Sequence, residues 1–138
     1  MEALIVLALV SFVLHLVWER SHIHLYAGYD ALKGRLPVFV WASMGDVMYT
    51  FFAISLVGIF KGDILWFLYA GSFDYVGLAI TGLFLAISVE YKAAALKRWE
   101  YTSKMPRLFS LGLTPLIQMT VLLPLSVYIT VAISRLGS

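Results

Sequence analysis

Four long apolar runs alternate with short polar stretches along the chain. They cover about residues 3–20, 37–60, 75–96 and 115–134. A bilayer core about 30 Å thick needs roughly 20 apolar residues per helical span, so each run is a candidate transmembrane helix. The pattern therefore predicts an all-α integral membrane protein. Residues 1–138 form one polytopic domain, a compact bundle of about four transmembrane helices with short loops.

Residues 64–71 are also apolar, but they are too few to cross a bilayer. Gly71 and the polar residues after it separate this segment from the third span. We predict either an interfacial turn or the first part of a bent third helix. Before the fourth span, Thr114 followed by Pro115 predicts an N-cap and a first-turn proline.

Composition agrees with a membrane protein and excludes several chemistries. The chain is 62% hydrophobic and only 13% charged, with a mean hydropathy of +0.90. Cysteine is absent, so disulfides, thiolate metal sites and cysteine nucleophiles are excluded. The formal net charge is only +2, and most of the basic residues lie between the apolar runs. They predict contacts with membrane lipids and no nucleic-acid partner.

The basic residues also predict an orientation. Lys61 and Arg135 are the only two of the ten Lys and Arg residues that fall on one side of a four-span chain, and the other eight fall on the opposite side. Short cytoplasmic loops retain positive charge. We therefore expect a multi-pass protein of the inner or plasma membrane, with both termini outside and both basic loops in the cytoplasm.

Ionisable side chains inside the spans indicate a site. Each costs roughly 2.5–3.5 kcal/mol to insert, so each requires a reason. Asp46 lies roughly 14 Å into the second span, and Glu90 lies roughly 9 Å from the cytoplasmic end of the third. On the first helix, His15, Glu19 and His22 follow at i, i+4 and i+7 and share one face. We take His15, Glu19, Asp46 and Glu90 as candidate catalytic residues.

Hydrogen-bonding side chains extend this pattern to the fourth helix. Thr114 and Gln118 share a face there, as Ser43, Asp46 and Thr50 do on the second. Together with the groups on the first and third helices, these side chains bring polar groups from four helices toward one half of the membrane, the predicted cytoplasmic half. The sequence thus predicts a polar pocket that opens toward the cytoplasmic leaflet.

The basic loop near residues 97–107 could hold the polar end of a lipid. Guanidinium groups bind phosphate well, so we expect a phosphate or anionic headgroup to contact the cations of this loop. An aromatic and cationic anchor at the membrane surface is the alternative. The candidate substrate-binding residues are His22, Arg98, Tyr101, Lys104, Arg107 and Gln118.

Metal binding has weaker support. Imidazole and carboxylate suit zinc or iron, and His22 and His24 lie close to Glu19 in the sequence. Helical residues two apart point about 200° away from each other, so both imidazoles could bind one ion only beyond the helix end. We predict no metal ligands, and the residues do not specify a cofactor.

One short motif resembles a known family. Leu14-His15-Leu16-Val17-Trp18-Glu19 is similar to the membrane-embedded His-x-x-x-Glu of the emopamil-binding sterol isomerase family. That resemblance implies a four-helix bundle acting on a sterol. In that family the pair lies on the second helix, whereas here it lies on the first.

Three functions fit these patterns. The first is an intramembrane acid–base enzyme that acts on a lipid or isoprenoid, a lipophilic small-molecule substrate. The second is a small proton-coupled transporter that works as a homodimer, with Asp46 and Glu90 as its proton-binding acids. The third is an accessory membrane subunit. An enzyme predicts a pocket inside one protomer that is reached from the lipid, and a carrier predicts acids at a dimer interface or along a channel.

Overall fold

A computed structural model describes residues 2–28, 31 and 35–136 of the chain. Its helices are α1 (Glu2–His22), α2 (Leu36–Lys61), α3 (Ser72–Ala95) and α4 (Leu113–Leu136), and its strands are β1 (Arg107–Leu108) and β2 (Leu111–Gly112). Short 3-10 turns cover Ile23–Leu25 and Trp66–Tyr69. All four helices are long and apolar enough to cross a membrane, which confirms the predicted all-helical class.

Two local details of the connections bear on the sequence expectations. Residues 66–69 form a separate 3-10 turn, in which the Trp66 indole donates to the Ile54 carbonyl at 3.0 Å and Phe67 is fully buried. The helix that follows begins only at Ser72. The predicted N-cap is wrong, because α4 begins at Leu113 and Thr114 lies inside its first turn. The hairpin of β1 and β2 leads directly into α4, and the Leu113 N–H donates to the Pro106 carbonyl at 2.8 Å.

The helices follow the order α2, α1, α4, α3 around the bundle. α1 packs against both α2 and α4, and α3 packs mainly against α4. α3 approaches the α4 backbone closely at Gly82, where an added Cβ would lie 2.3 Å from the Met119 carbonyl oxygen. In contrast, α2 and α3 have few contacts with each other.

The two ends of the α2–α3 pair are held differently. At one end Lys61 Nζ lies 2.7 Å from Asp74 Oδ1, and Asp74 Oδ2 accepts the Gly71 N–H at 2.9 Å. These contacts join the end of α2 to the start of α3. At the opposite end the two helices separate, and a cavity lies between them.

The segment after α3 covers this open end. Ala27 N–H donates to the Glu100 carbonyl at 2.9 Å, and Thr102 N–H donates to the Leu25 carbonyl at 2.8 Å. The segment is thereby tied to the residues after α1. Its aromatic side chains, Trp99 and Tyr101, lie beside the cavity as a result.

The predicted orientation can be tested by labelling, because the chain contains no native cysteine. Lys104 lies in the basic segment, and Asp63 lies in the connection between α2 and α3; both are exposed. In intact cells, we expect an impermeant maleimide to label Asp63→Cys and to leave Lys104→Cys unlabelled until the membrane is opened. The reverse pattern would invert the orientation.

Candidate functional site

A cavity of about 320 Å³ lies between α2 and α3 at the end where they separate. Carboxylates from three helices line it: Glu19 of α1, Asp46 of α2 and Glu90 of α3. The rest of its wall is largely apolar. Its lining includes Ile23, Tyr26, Val38, Phe39, Ala42, Tyr49, Leu85, Ala86, Val89, Arg98, Trp99, Pro115 and Met119.

Gln118 of α4 joins the polar groups on one side of the cavity. Its Nε2 lies 2.9 Å from Glu19 Oε1, 3.0 Å from Asp46 Oδ2 and 3.0 Å from His15 Nδ1. An amide nitrogen carries two hydrogens, so it can donate to two of these three atoms at once. Carboxylate oxygens only accept, and therefore the two acids are the natural partners of the two N–H groups. One side chain of α4 thus orients acids from α1 and α2.

His15 contacts Asp46 on the side that faces away from the cavity. It is fully buried, and its Nδ1 lies 3.3 Å from Asp46 Oδ2. With both amide hydrogens of Gln118 directed at the acids, the tautomer with hydrogen on Nδ1 lets His15 donate to Asp46 as well. Asp46 Oδ2 then accepts from both side chains while 19% of the Asp46 side chain stays exposed. The Asp46 carboxylate is thus held by His15 and Gln118 on its inner side, and its other side faces the cavity.

Glu19 also has an imidazole partner, which is the side chain of His22. His22 Nε2 lies 3.4 Å from Glu19 Oε2, and His22 Nδ1 lies 3.1 Å from Thr114 Oγ1. The Thr114 hydroxyl also lies 3.4 Å from the sulfur of Met105. From its position in the first turn of α4, Thr114 thus contacts the last residue of α1. Two acid–imidazole pairs, Asp46 with His15 and Glu19 with His22, therefore flank Gln118.

Glu90 faces the cavity from α3 and has a phenol partner. The Tyr101 hydroxyl donates a hydrogen bond to Glu90 Oε2. The Tyr101 ring packs against Gly112, where an added Cβ would lie 2.9 Å from Cε1, and the Arg107 guanidinium lies 5.4 Å from the ring centroid. Burial, together with this bond to Glu90, raises the pKa of Tyr101, so the phenol keeps its proton. Tyr101 is held as a donor to Glu90.

The predicted site residues fall into distinct groups. Glu19, Asp46, Glu90, Gln118 and Arg98 line the cavity. His15, His22 and Tyr101 do not line it, but each contacts one of its acids.

Two of the predicted cationic contacts lie elsewhere. Lys104 is exposed, and Arg107 packs over Tyr101. Neither residue lines the cavity, so Arg98 is its one lining cation among the described residues. Burial and the nearby Glu90 raise the pKa of another lining residue, Tyr26, so its phenol is also protonated.

Among the polar lining residues, sequence reasoning missed two tyrosines, Tyr26 and Tyr49. Tyr49 follows Asp46 by three positions and so shares its helical face, which is a signal that could have found it. Tyr26 lies beyond α1 and reaches the cavity only because the segment after α3 packs against it. Its ring lies 6.3 Å from that of Trp99 and 5.7 Å from that of Tyr101.

A metal site does not emerge from the described part of the chain. No group of three His, Asp or Glu side chains there is arranged to hold a metal ion. His22 is turned inward to Glu19 and Thr114, whereas His24 is exposed. The two imidazoles that the sequence places two residues apart thus have different surroundings.

No protein-family model, curated protein or solved structure matches this chain. The cavity and the residues around it are therefore the basis on which a function can be proposed.

Proposed function

We propose that the protein is an integral membrane enzyme that acts by acid–base chemistry on a lipid or isoprenoid. One observation carries the proposal: carboxylates from three different helices line a single cavity within one chain. Buried titratable groups that converge on a cavity are typical of acid–base sites. Each acid also has a partner that can hold or exchange a proton, either an imidazole or a phenol.

The exposed surface supports the membrane part of this proposal. Large apolar side chains project outward from all the helices, and Trp41, Ile59, Phe60 and Phe73 are each more than three-quarters exposed. Water would not favour so much exposed apolar surface, whereas lipid tails would. A helix pairs its interior backbone N–H and C=O groups within itself, as a bilayer requires, and all four helices are long and apolar enough to cross one.

The arrangement of the acids supports proton transfer from two sides. Asp46 is held by His15 and Gln118 on one side of the cavity, and Glu90 of α3 is held by Tyr101 on another. A substrate between them can receive a proton from one carboxyl group and lose a proton to the other. Such a pair of transfers moves a double bond and leaves the composition of the substrate unchanged. An isomerisation is therefore the reaction class that fits best.

Charge argues against the phosphate-bearing substrate that the basic loop suggested. Three carboxylates and only one guanidinium, that of Arg98, line the described cavity. A phosphate would face more negative than positive charge there. We therefore propose a substrate whose polar end carries no phosphate.

A proton-coupled carrier has less support. Its acids should lie along a path through the bundle or at an interface between copies, but here they share one cavity at one end. Toward the other end the core is packed with apolar side chains, including the fully buried Leu7, Ile54 and Phe67. This packing favours a closed reaction chamber over a pathway.

Deuterium exchange tests the enzyme proposal and does not require an identified substrate. Membranes from cells that produce the protein are incubated in D₂O, and hydroxyl deuterium is removed by back-exchange in ordinary water. Mass spectrometry of the extracted lipids should then show a species with carbon-bound deuterium that depends on the protein. We expect Asp46→Asn and Glu90→Gln to slow this incorporation by about 100-fold or more, because each removes a proton-transfer group.

Glu100→Gln is the matched control, since Glu100 is exposed and does not line the cavity. It should incorporate deuterium at the parent rate. If no lipid gains protein-dependent deuterium, or if the two acid variants behave like the control, the acid–base proposal is wrong.

A further inference from the structure

The α2 wall of the cavity contains a glycine directly beside Asp46. Gly45 lines the cavity, and an added Cβ at this position would meet no heavy atom within 4 Å. Gly82 is different, because its missing side chain permits close contact with α4. Helix packing therefore does not require a glycine at position 45. What its missing side chain provides is extra width in the cavity next to a carboxylate.

The cavity opens along the same helix. Ala42 and Tyr49 both line it and are both exposed, one on each side of Gly45 in the sequence. Gly45 lies nine residues after Leu36, the first residue of α2, and so roughly 14 Å along the helix axis. In a membrane-spanning α2, that depth falls among the lipid tails. An opening beside Ala42 and Tyr49 would therefore form a lateral entrance from the hydrocarbon core.

The volume of the cavity limits what part of a lipid can enter. About 320 Å³ is at the low end of the range of roughly 300–1,000 Å³ for small-molecule sites. A cavity of this volume has room for the polar end of a lipid and the carbons next to it, and the rest of such a chain would extend through the entrance. The carbons beside the polar end would then be the ones that pass Gly45.

We propose that Gly45 determines the width of this entrance, and that the site selects a lipid whose hydrocarbon is broad next to its polar end. A methyl-branched or ring-bearing chain has that shape, whereas a straight acyl chain does not use the added width. This inference rests on the proposed function, since it names the substrate class of the same site. Gly45 is then a specificity-determining residue.

Farnesol and 1-pentadecanol are suitable probes, because they are primary alcohols with the same number of carbon atoms. Farnesol carries a methyl branch near its hydroxyl, and pentadecanol is straight. The protein is placed in lipid nanodiscs, and the indole N–H resonance of Trp99 is followed by NMR as each alcohol is added. Trp99 lines the cavity, and loss of the resonance in Trp99→Phe assigns it.

For the parent protein, we expect farnesol to shift this resonance at a lower mole fraction than pentadecanol. Gly45→Leu should weaken the response to farnesol by about tenfold or more and the response to pentadecanol by less than about threefold, as expected for a few carbons in an apolar pocket. Gly77→Leu is the matched control. Gly77 also has open space around it but lies on α3 away from the cavity, so both responses should match the parent.

Both leucine variants should fold, since neither new side chain meets an atom at its Cβ, and thermal unfolding checks this. Equal weakening of the two alcohols in Gly45→Leu, or no change, overturns the inference. A parent protein that catalyses deuterium exchange but binds neither alcohol also overturns it while the proposed function stands. The expected binding pattern without any deuterium exchange supports the role of Gly45 and rejects acid–base catalysis.

Discussion

Gly82→Ala is expected to lower the free energy of unfolding by about 2–3 kcal/mol, which is large for the addition of one methyl group. The added Cβ would lie 2.3 Å from the Met119 carbonyl oxygen and 2.8 Å from its carbonyl carbon. Both are backbone atoms of α4, so no side-chain rotation can relieve the overlap. α3 must move away from α4, which loses packing along the most extensive helix–helix contact of the bundle.

Gly77→Ala provides the control on the same helix. No heavy atom lies within 4 Å of a Cβ added at Gly77, and alanine favours a helix more than glycine does. Its stability should equal or slightly exceed that of the parent. Unfolding of the three proteins in mixed detergent micelles, followed by circular dichroism, makes the comparison. Equal stability of the two alanine variants would mean that α3 and α4 do not approach each other at Gly82.

Gln118→Leu is expected to cost about 2–4 kcal/mol of stability, because it removes the donor between two carboxylates. Gln118 Nε2 lies within 3.0 Å of Glu19 Oε1 and Asp46 Oδ2. Hydrogen bonds to charged groups contribute about 1.5–3 kcal/mol each, and a buried acceptor without a donor loses its solvation as well. Leucine has nearly the same size, so lost packing contributes little. We also expect the two acids to separate, and therefore deuterium exchange to fall with stability.

Thr130→Val is the control for loss of a buried polar group from α4. Thr130 is fully buried, but its hydroxyl donates only to the Ser126 carbonyl of its own helix, at 2.7 Å. Valine leaves that carbonyl within the helical hydrogen-bond pattern, so the expected cost is below about 1 kcal/mol. If Gln118→Leu costs no more than Thr130→Val in the same unfolding experiment, Gln118 does not hold the two acids together.

The proposed function depends on side chains that come from every helix. Glu19, Asp46 and Glu90 are far apart in sequence, and Gln118 lies on a fourth element. A single substitution at Gln118 should therefore affect acids on two other helices, while Tyr101 acts on Glu90 alone. A substitution at Gln118 therefore tests the contacts with Glu19 and Asp46, whereas a substitution at Tyr101 tests the contact with Glu90.

The length of the apolar runs alone determined the four helices, because a run of about 20 apolar residues has few stable alternatives to a long helix. The sequence also identified Asp46 and Glu90 as candidate site residues, since an ionisable group among apolar residues is costly to insert wherever the helix packs. Helical spacing also placed His15, Glu19 and His22 on one face.

Tertiary structure alone decided which of these faces meet. Sequence spacing gives the direction of a side chain around its own helix, but it carries no information on which helices are neighbours. The order α2, α1, α4, α3 brings Gln118 between Glu19 and Asp46 and leaves α2 and α3 apart around a cavity. The packing of the segment after α3 places Tyr101 on Glu90 and leaves Lys104 exposed. These contacts join residues distant in the chain, so only the packed bundle could determine them.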